Sequence, residues 1–244
     1  MKDIALQAID LCRRFGGFTA VDRITFQVHR GEIFGFLGAN GAGKTTTIRM
    51  LTGLLAPSSG QGLVNGYDIN RDAEKIKRNI GYMSQKFSLY QDLTVEENLE
   101  FYGGIYGLSK DRIKSQIDYI LTRLNLNDQK RTLVSGIPLG WKQKLALGSA
   151  IIHSPPILFL DEPTSGVDPV SRREFWMLIN ELARENTTVF VTTHYMDEAE
   201  YCNRLSIMHE GAIVALDHPK KLKQRYGKKT IEEVFISLIE QQSD

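Results

Sequence analysis

Cysteine is almost missing from this sequence: there are two in 244 residues, Cys12 and Cys202, far apart and outside any CxxC pair. That excludes a disulfide framework and a cysteine-built zinc site, and it fits a reducing, cytoplasmic setting. Net charge is nearly absent too. Lys and Arg number 30 against 29 Asp and Glu, a balance of +1, so there is no electrostatic case for nucleic acid as a partner or for adsorption to an anionic bilayer. No apolar run approaches the ~18 residues that a spanning helix requires, and Met1-Lys-Asp-Ile4 is not followed by the apolar core of a signal peptide. Any service to a membrane is therefore expected from outside the bilayer. What is present, 42% hydrophobic and 24% charged residues, suits a globular chain with a sizeable core, as one large domain or two small ones.

Ile24, Phe26 and Val28 alternate with polar residues, Arg30-Gly31 interrupts, and Glu32 to Leu37 follows as a more apolar run. The pattern predicts a strand, a tight turn and a buried strand. Further strands are expected over 79–84, 157–160, 188–192 and 205–208. Several are apolar almost throughout, as parallel strands covered on both faces are. Glu210-Gly211 reads as a hairpin turn into an edge strand over 212–215. From about Gln91 to His153 helical spacing takes over: Thr94-Val-Glu-Glu97 has the capping-box pattern, and Ile113, Ile117, Ile120, Leu121 and Leu124 form one apolar stripe. That segment reads as a helical insert in an α/β domain. Ser171 and Thr230 are read as the caps of two later helices.

The strand ending at Leu37 runs directly into GANGAGKT, Gly38 to Thr45, and then into helical spacing from Thr46 to Leu55. This is GxxxxGK[ST] in the strand, loop and helix context that gives it meaning. Glycines let backbone N–H groups close around phosphates at a helix N-terminus, where the dipole favours anions. Gly38, Asn40, Gly41, Ala42, Gly43, Lys44, Thr45 and Thr46 are the expected cradle for a triphosphate, with Lys44 reaching the β- and γ-phosphates and the Thr45 hydroxyl ligating Mg²⁺. Ile157-Leu-Phe-Leu-Asp161-Glu162 adds an apolar strand ending in two acids. Asp161 is expected to hold Mg²⁺, partly through water, and Glu162 to act as general base on the attacking water.

With Gln85 after the strand at 80–84, Ser165-Gly-Val-Asp168 after the two acids, and Val191-Thr-Thr-His194 closing another strand, the chain resembles the nucleotide-binding subunits of ABC transporters over nearly its whole length. Phe15-Gly-Gly-Phe-Thr-Ala-Val-Asp22, the run Gly41 to Met50 and Ile231-Glu-Glu-Val-Phe235 are most similar to the branch that powers ABC-2 type exporters, including drug-resistance exporters. The resemblance implies an α/β P-loop NTPase fold of RecA-like type: a mostly parallel sheet core, an N-terminal antiparallel β subdomain and an inserted α-helical subdomain. It implies a single ATPase domain over 1–244, with the nucleotide-binding core at 1–85 and 156–220, the helical subdomain at 86–155 and a C-terminal helical tail at 221–244. It also implies residue roles. Gln85 contacts Mg²⁺ or water and senses the γ-phosphate, and His194 holds the γ-phosphate and the geometry of Glu162. Asp168 links two subunits, with an N-cap before Pro169 as its plainer role. Phe15 stacks on adenine, with Phe18 as a competitor.

The same resemblance places a signature, LSGGQ or LSGGMKQRL in exporters, at the start of the helix ahead of Asp161-Glu162. Aligning Lys142-Gln-Lys-Leu145 with KQRL puts Ile137 at the Leu, Pro138 at the Ser, Leu139 at the first Gly and Gly140 at the second. Pro138, Leu139, Gly140 and Gln143 are then expected to meet the ATP of a partner subunit. Pro138 has neither the serine hydroxyl nor a backbone N–H. The amides of Leu139, Gly140 and Trp141 are left to face the anion. The expected partners are a membrane permease, docking near Gln85 to Tyr90 and the helical subdomain, and a second ATPase subunit, identical or with an intact signature. Two rivals stand beside the exporter reading: a soluble ABC-type regulator of ribosomes or DNA, and an ATP-gated clamp with little turnover.

Overall fold

The structure, a computed structural model, describes residues 3–243. Met1 and Lys2 of the segment read for a leader, and Asp244 of the tail, lie outside the described residues. Two sheets organise the chain. The first is antiparallel, in the order β2-β1-β4-β5, built from β1 (Ile4–Phe15), β2 (Phe18–His29), β4 (Ser59–Val64) and β5 (Tyr67–Asp68). The second has six strands in the order β10-β9-β3-β8-β7-β6. Its members are β3 (Ile33–Gly38), β6 (Ile80–Met83), β7 (Ile157–Asp161), β8 (Thr188–Thr193), β9 (Arg204–His209) and β10 (Ala212–Asp217). All neighbours in it pair parallel except β10 with β9. The expected edge hairpin and the mostly parallel core are therefore both present.

β1, β4 and β5 are the strands that alternation did not mark, and β1 is the longest of them. The pairing of β1 slips between Ala8 and Leu11, and Asp10 has φ 48°, so a bulge breaks the period of two that alternation relies on. Side chains of the two sheets meet in a cluster of phenylalanines. Phe26 of β2 stacks on Phe34 of β3 with ring centroids 5.5 Å apart, and Phe36 lies 5.3 Å from Phe190 of β8. β3, β7 and β8 are buried at every position, as strands covered on both faces must be.

The helical insert comprises α3 (Val95–Ile105), α4 (Lys110–Arg123) and α5 (Leu139–Ile151). The stripe from Ile113 to Leu124 is buried in one core with Leu99 and Leu145. The Thr94 capping box is present in both directions, with Glu97 N–H donating to Thr94 Oγ1 (3.2 Å) and Thr94 N–H to Glu97 Oε2 (2.8 Å). Residues 124–138 are not α-helical and contain two short 3₁₀ turns, so the helical spacing expected throughout 91–153 holds only in three pieces. The remaining helices are α1 (Lys44–Leu51), α2 (Ala73–Asn79), α6 (Pro169–Arg184), α7 (Pro219–Tyr226) and α8 (Ile231–Ser243). Three boundaries are corrected. α1 stops at Leu51 rather than Leu55, and the tail helix starts at Pro219 rather than 221. The cap of α6 is Asp168, which accepts from Val170 and Ser171 N–H at 3.0 Å each. Of the two cap candidates, Ser171 and the Asp168 before Pro169, the second holds, because Pro169 needs no amide partner and fits the first turn, so the helix begins earlier.

Candidate functional site

The C-terminal ends of β3, β6, β7 and β8 converge, because Asp161 pairs with Thr192 and Leu37 with Thr193 in register. Loops leaving parallel strands at such a point are where an α/β sheet builds its site. The loop after β3 enters α1 through Gly43, at φ 105°. A Cβ there would come within 2.4 Å of the Ala20 carbonyl oxygen, so only glycine lets the loop close this tightly. Phe15, Phe18, Asn40, Gly41, Gly43, Lys44, Thr45, Thr46, Gln85 and Glu162 line one cleft of about 430 Å³. Thus both aromatic candidates flank the phosphate loop, exposed at its mouth. Gly38 and Ala42 are buried and do not line that cleft, and the Gly38 carbonyl accepts from Lys44 Nζ at 2.8 Å.

Glu162 is the hub. Its Oε1 lies 3.2 Å from Lys44 Nζ, with both side chains buried. Its Oε2 accepts from Gln85 Nε2 at 3.1 Å and meets His194 Nδ1 at 3.0 Å. Three residues from three other segments therefore touch this one carboxylate. The backbone holding it is strained, with φ 49°, and is pinned by the Glu162 N–H donating to Thr192 Oγ1 at 2.9 Å. Asp161, one residue earlier, points to the other side and accepts from Thr45 Oγ1 (3.1 Å) and Thr192 Oγ1 (2.8 Å). Burial pushes the Asp161 carboxyl above its ordinary range, with the two threonine hydroxyls pulling the other way.

Thr192 was missed in the sequence, although it braces both acids. Nothing local set it apart, since its strand, TVFVTT, carries three threonines. Among the described residues no group of three or more His, Cys, Asp or Glu is placed to hold a metal. The oxygens of Asp161 and Thr45, beside a phosphate cradle and near Gln85, do suit Mg²⁺, which takes one or two protein oxygens and fills its shell with phosphate and water.

The signature residues lie elsewhere. Pro138, Leu139 and Gly140 line a second cleft, of about 360 Å³, together with Gly166 and Asp168, so within one chain they do not meet Lys44 or Glu162. Two expectations need correction. Gln143 is buried and donates to the Pro163 carbonyl at 2.6 Å, so its amide ties the helix to the loop after Glu162 instead of facing outward. The Trp141 amide already donates to the Pro138 carbonyl at 3.1 Å, which leaves those of Leu139 and Gly140. Pro138 itself is the N-cap of α5, not its first helical residue, and supplies no side-chain cap.

Among the described residues no helix is long and apolar enough to cross a membrane. The family described as "ABC transporter" matches residues 21–165. The probable multidrug ABC transporter ATP-binding protein YbhF of Escherichia coli K12 is 47% identical over 242 residues, covering 97% of this chain and 42% of that protein. The chain thus spans less than half of that relative's length. The linearmycin resistance ATP-binding protein LnrL of Bacillus subtilis is 37% identical, with 95% and 75% covered. A solved ATP-binding subunit of an ABC transporter superposes with a TM-score of 0.87 at 29% identity, covering 96% of this chain and 99% of that one. For cbiO1 from Clostridium perfringens, part of the transporter complex cbiONQ, the values are 0.84, 28%, 92% and 92%. A phosphate loop facing two strand-end acids, matched family residues and relatives of this closeness together make the chain an ATP-binding ATPase domain of the ABC transporter family.

Proposed function

We propose that this domain hydrolyses ATP to drive a membrane exporter of the drug-resistance type, working on the cytoplasmic face of the membrane against a permease. The observation that carries the hydrolytic part is the meeting of Lys44, Gln85 and His194 on the Glu162 carboxylate. Phosphate oxygens compete for the Lys44 ammonium. Once Lys44 turns to them, Glu162 is free to take the proton of an attacking water that Gln85 and His194 orient. Thr45, Asp161 and Gln85 would hold Mg²⁺, which neutralises charge on the phosphates. Phe15 or Phe18 offers adenine a π-face at the mouth of the cleft.

The separation of Pro138, Leu139 and Gly140 from this chain's own phosphate loop supports a head-to-tail pair in which each signature serves the other subunit, with Asp168 at the seam. The permease would dock near Gln85 to Tyr90 and the helical insert, and the transported compounds would be those of the permease. A second reading, an ATP-gated clamp with little turnover, is favoured by Pro138, whose ring supplies neither hydroxyl nor N–H.

The test is steady-state ATP hydrolysis by the purified chain and its Glu162→Gln variant, with light scattering to report association. Turnover is expected to fall by about 100-fold or more with ATP still bound, and the variant is expected to accumulate as an ATP-bound dimer. Full turnover in Glu162→Gln would remove Glu162 from its role.

A further inference from the structure

Glu198 lies outside every role assigned so far, in a 3₁₀ turn after β8 (residues 198–201). It is 0% exposed. A carboxylate taken wholly out of water is retained only where donors and charge compensate it, and here its partners come from three segments of the site. Thr193, one residue before His194, donates to Glu198 Oε2 at 2.5 Å. Thr164, two residues after Glu162, donates to Oε1. Arg172 of α6 brings its Nε to 3.6 Å from Oε1.

Each partner leads on to a residue of the site. The Thr193 hydroxyl also accepts the Tyr195 N–H at 2.9 Å, which closes the turn that presents His194. Thr164 sits in the short loop from Glu162 to Asp168, where its carbonyl accepts the Val167 N–H at 3.2 Å. The Arg172 guanidinium lies over the Tyr195 ring, 3.9 Å from its centroid. Its helix is the one capped by Asp168. One buried carboxylate thus fastens the His194 turn, the loop between Glu162 and Asp168, and the first turns of α6 to one another.

We propose that Glu198 is a positioning residue for ATP hydrolysis, fixing the His194 turn and the 163–168 loop as one rigid unit so that movement at Asp168 carries to His194. This rests on the reading of Glu162 and His194 as the hydrolytic pair. Glu198 touches neither nucleotide nor water, and it acts only through where it holds Thr193 and Thr164. Glutamine at this position keeps the shape but loses the charge and one acceptor, so Thr164 and Thr193 can no longer both donate to it, and Arg172 is left with Asp197, 3.7 Å away, as its counter-charge. A displacement of His194 by ~1 Å is enough to cost about 100-fold in rate.

The test uses the full chain in two measurements. In the first, Glu198→Gln is expected to leave ATP affinity within about twofold and to lower turnover by about 100-fold. In a His194→Ala background the same change is expected to have little further effect, because it acts through that residue. Thr193→Val should reproduce the loss and Thr193→Ser should restore activity, and this pair decides the matter if Glu198→Gln does not fold. In the second, the imidazole ¹⁵N resonances of His194 are recorded in histidine-labelled protein and are expected to move in Glu198→Gln and in Thr193→Val. Unmoved resonances, turnover equal to the parent's, or an equal loss in the His194→Ala background would each overturn the proposal. If Glu162→Gln and His194→Ala themselves leave turnover intact, it is the hydrolytic reading that falls, while the resonances still report whether Glu198 sets the place of the ring.

Discussion

At the scale of single residues, the site works by placing opposite charges where water does not reach them. Lys44 and Glu162 are each almost fully buried and 3.2 Å apart, so removing one strands the other. Lys44→Ala is expected to lower the stability of the nucleotide-free chain by about 3 kcal/mol, read as a drop in the urea midpoint, and to abolish binding of a fluorescent ATP analogue. Adding Glu162→Gln to it should recover part of the stability and none of the binding. Unchanged nucleotide binding in Lys44→Ala would sink the phosphate-loop assignment. These residues were legible in the sequence because their motif is local: glycines, lysine and threonine at fixed spacing need no knowledge of the fold. Thr192 and Glu198 were not legible, since each matters through partners some 30 residues distant or across three segments, and neither stands in a local pattern.

Among the elements, the helical insert is joined to the parallel sheet at His153, just beyond α5. Its ring stacks on Tyr106 with centroids 3.5 Å apart, and its Nε2 meets the Ile80 carbonyl at the start of β6 at 3.1 Å. Burial drives this imidazole down from the ordinary range to about 4, the Ile80 carbonyl resisting and Arg112 adding to the fall. A histidine whose folded pKa is depressed binds fewer protons than its unfolded form at intermediate pH. Its stabilising contribution is therefore full above the unfolded value near 6.5 and is lost as pH falls toward about 4. With the ring only half-buried, the loss is about 2 kcal/mol. Thermal melts from pH 7 to pH 4 are expected to show His153→Phe losing less stability than the parent over that window. A parallel pair of curves would place the acid sensitivity elsewhere. The stacking partner could not be read from the chain, because Tyr106 and His153 are brought together only by the packing of α3 on α5.

For the molecule as a whole, the question is whether the altered signature limits turnover. Pro138 and Leu139 lie on an exposed cleft beside Asp168, so they can be changed without opening the core. Pro138→Ser with Leu139→Gly is expected to raise turnover by about tenfold in a pair of identical chains, since restoring one donor at a transition-state charge is worth at least that much. If the rate does not change, the Leu139 and Gly140 amides suffice as they are. A chain that binds ATP and turns over only when mixed with a second ATPase domain would show that the pair is made of unlike subunits.

Composition, strand patterns and the ordered motifs determined the family, the parallel core, the edge hairpin and the helical insert, because each rests on residues close in sequence and on a period of two or 3.6 that the backbone imposes. β1 escaped because its bulge breaks that period. The cap of α6 was legible as one of two candidates, Asp168 and Ser171, and proline at the first helical position decides for Asp168. The direction of Gln143, the common grip of Lys44, Gln85 and His194 on Glu162, and the three-way hold of Glu198 were decided by tertiary structure alone. Register between β3, β7 and β8 sets which strand ends coincide, and a side chain's partner across a sheet is fixed by that register and by burial, neither of which is written in any local stretch of the chain.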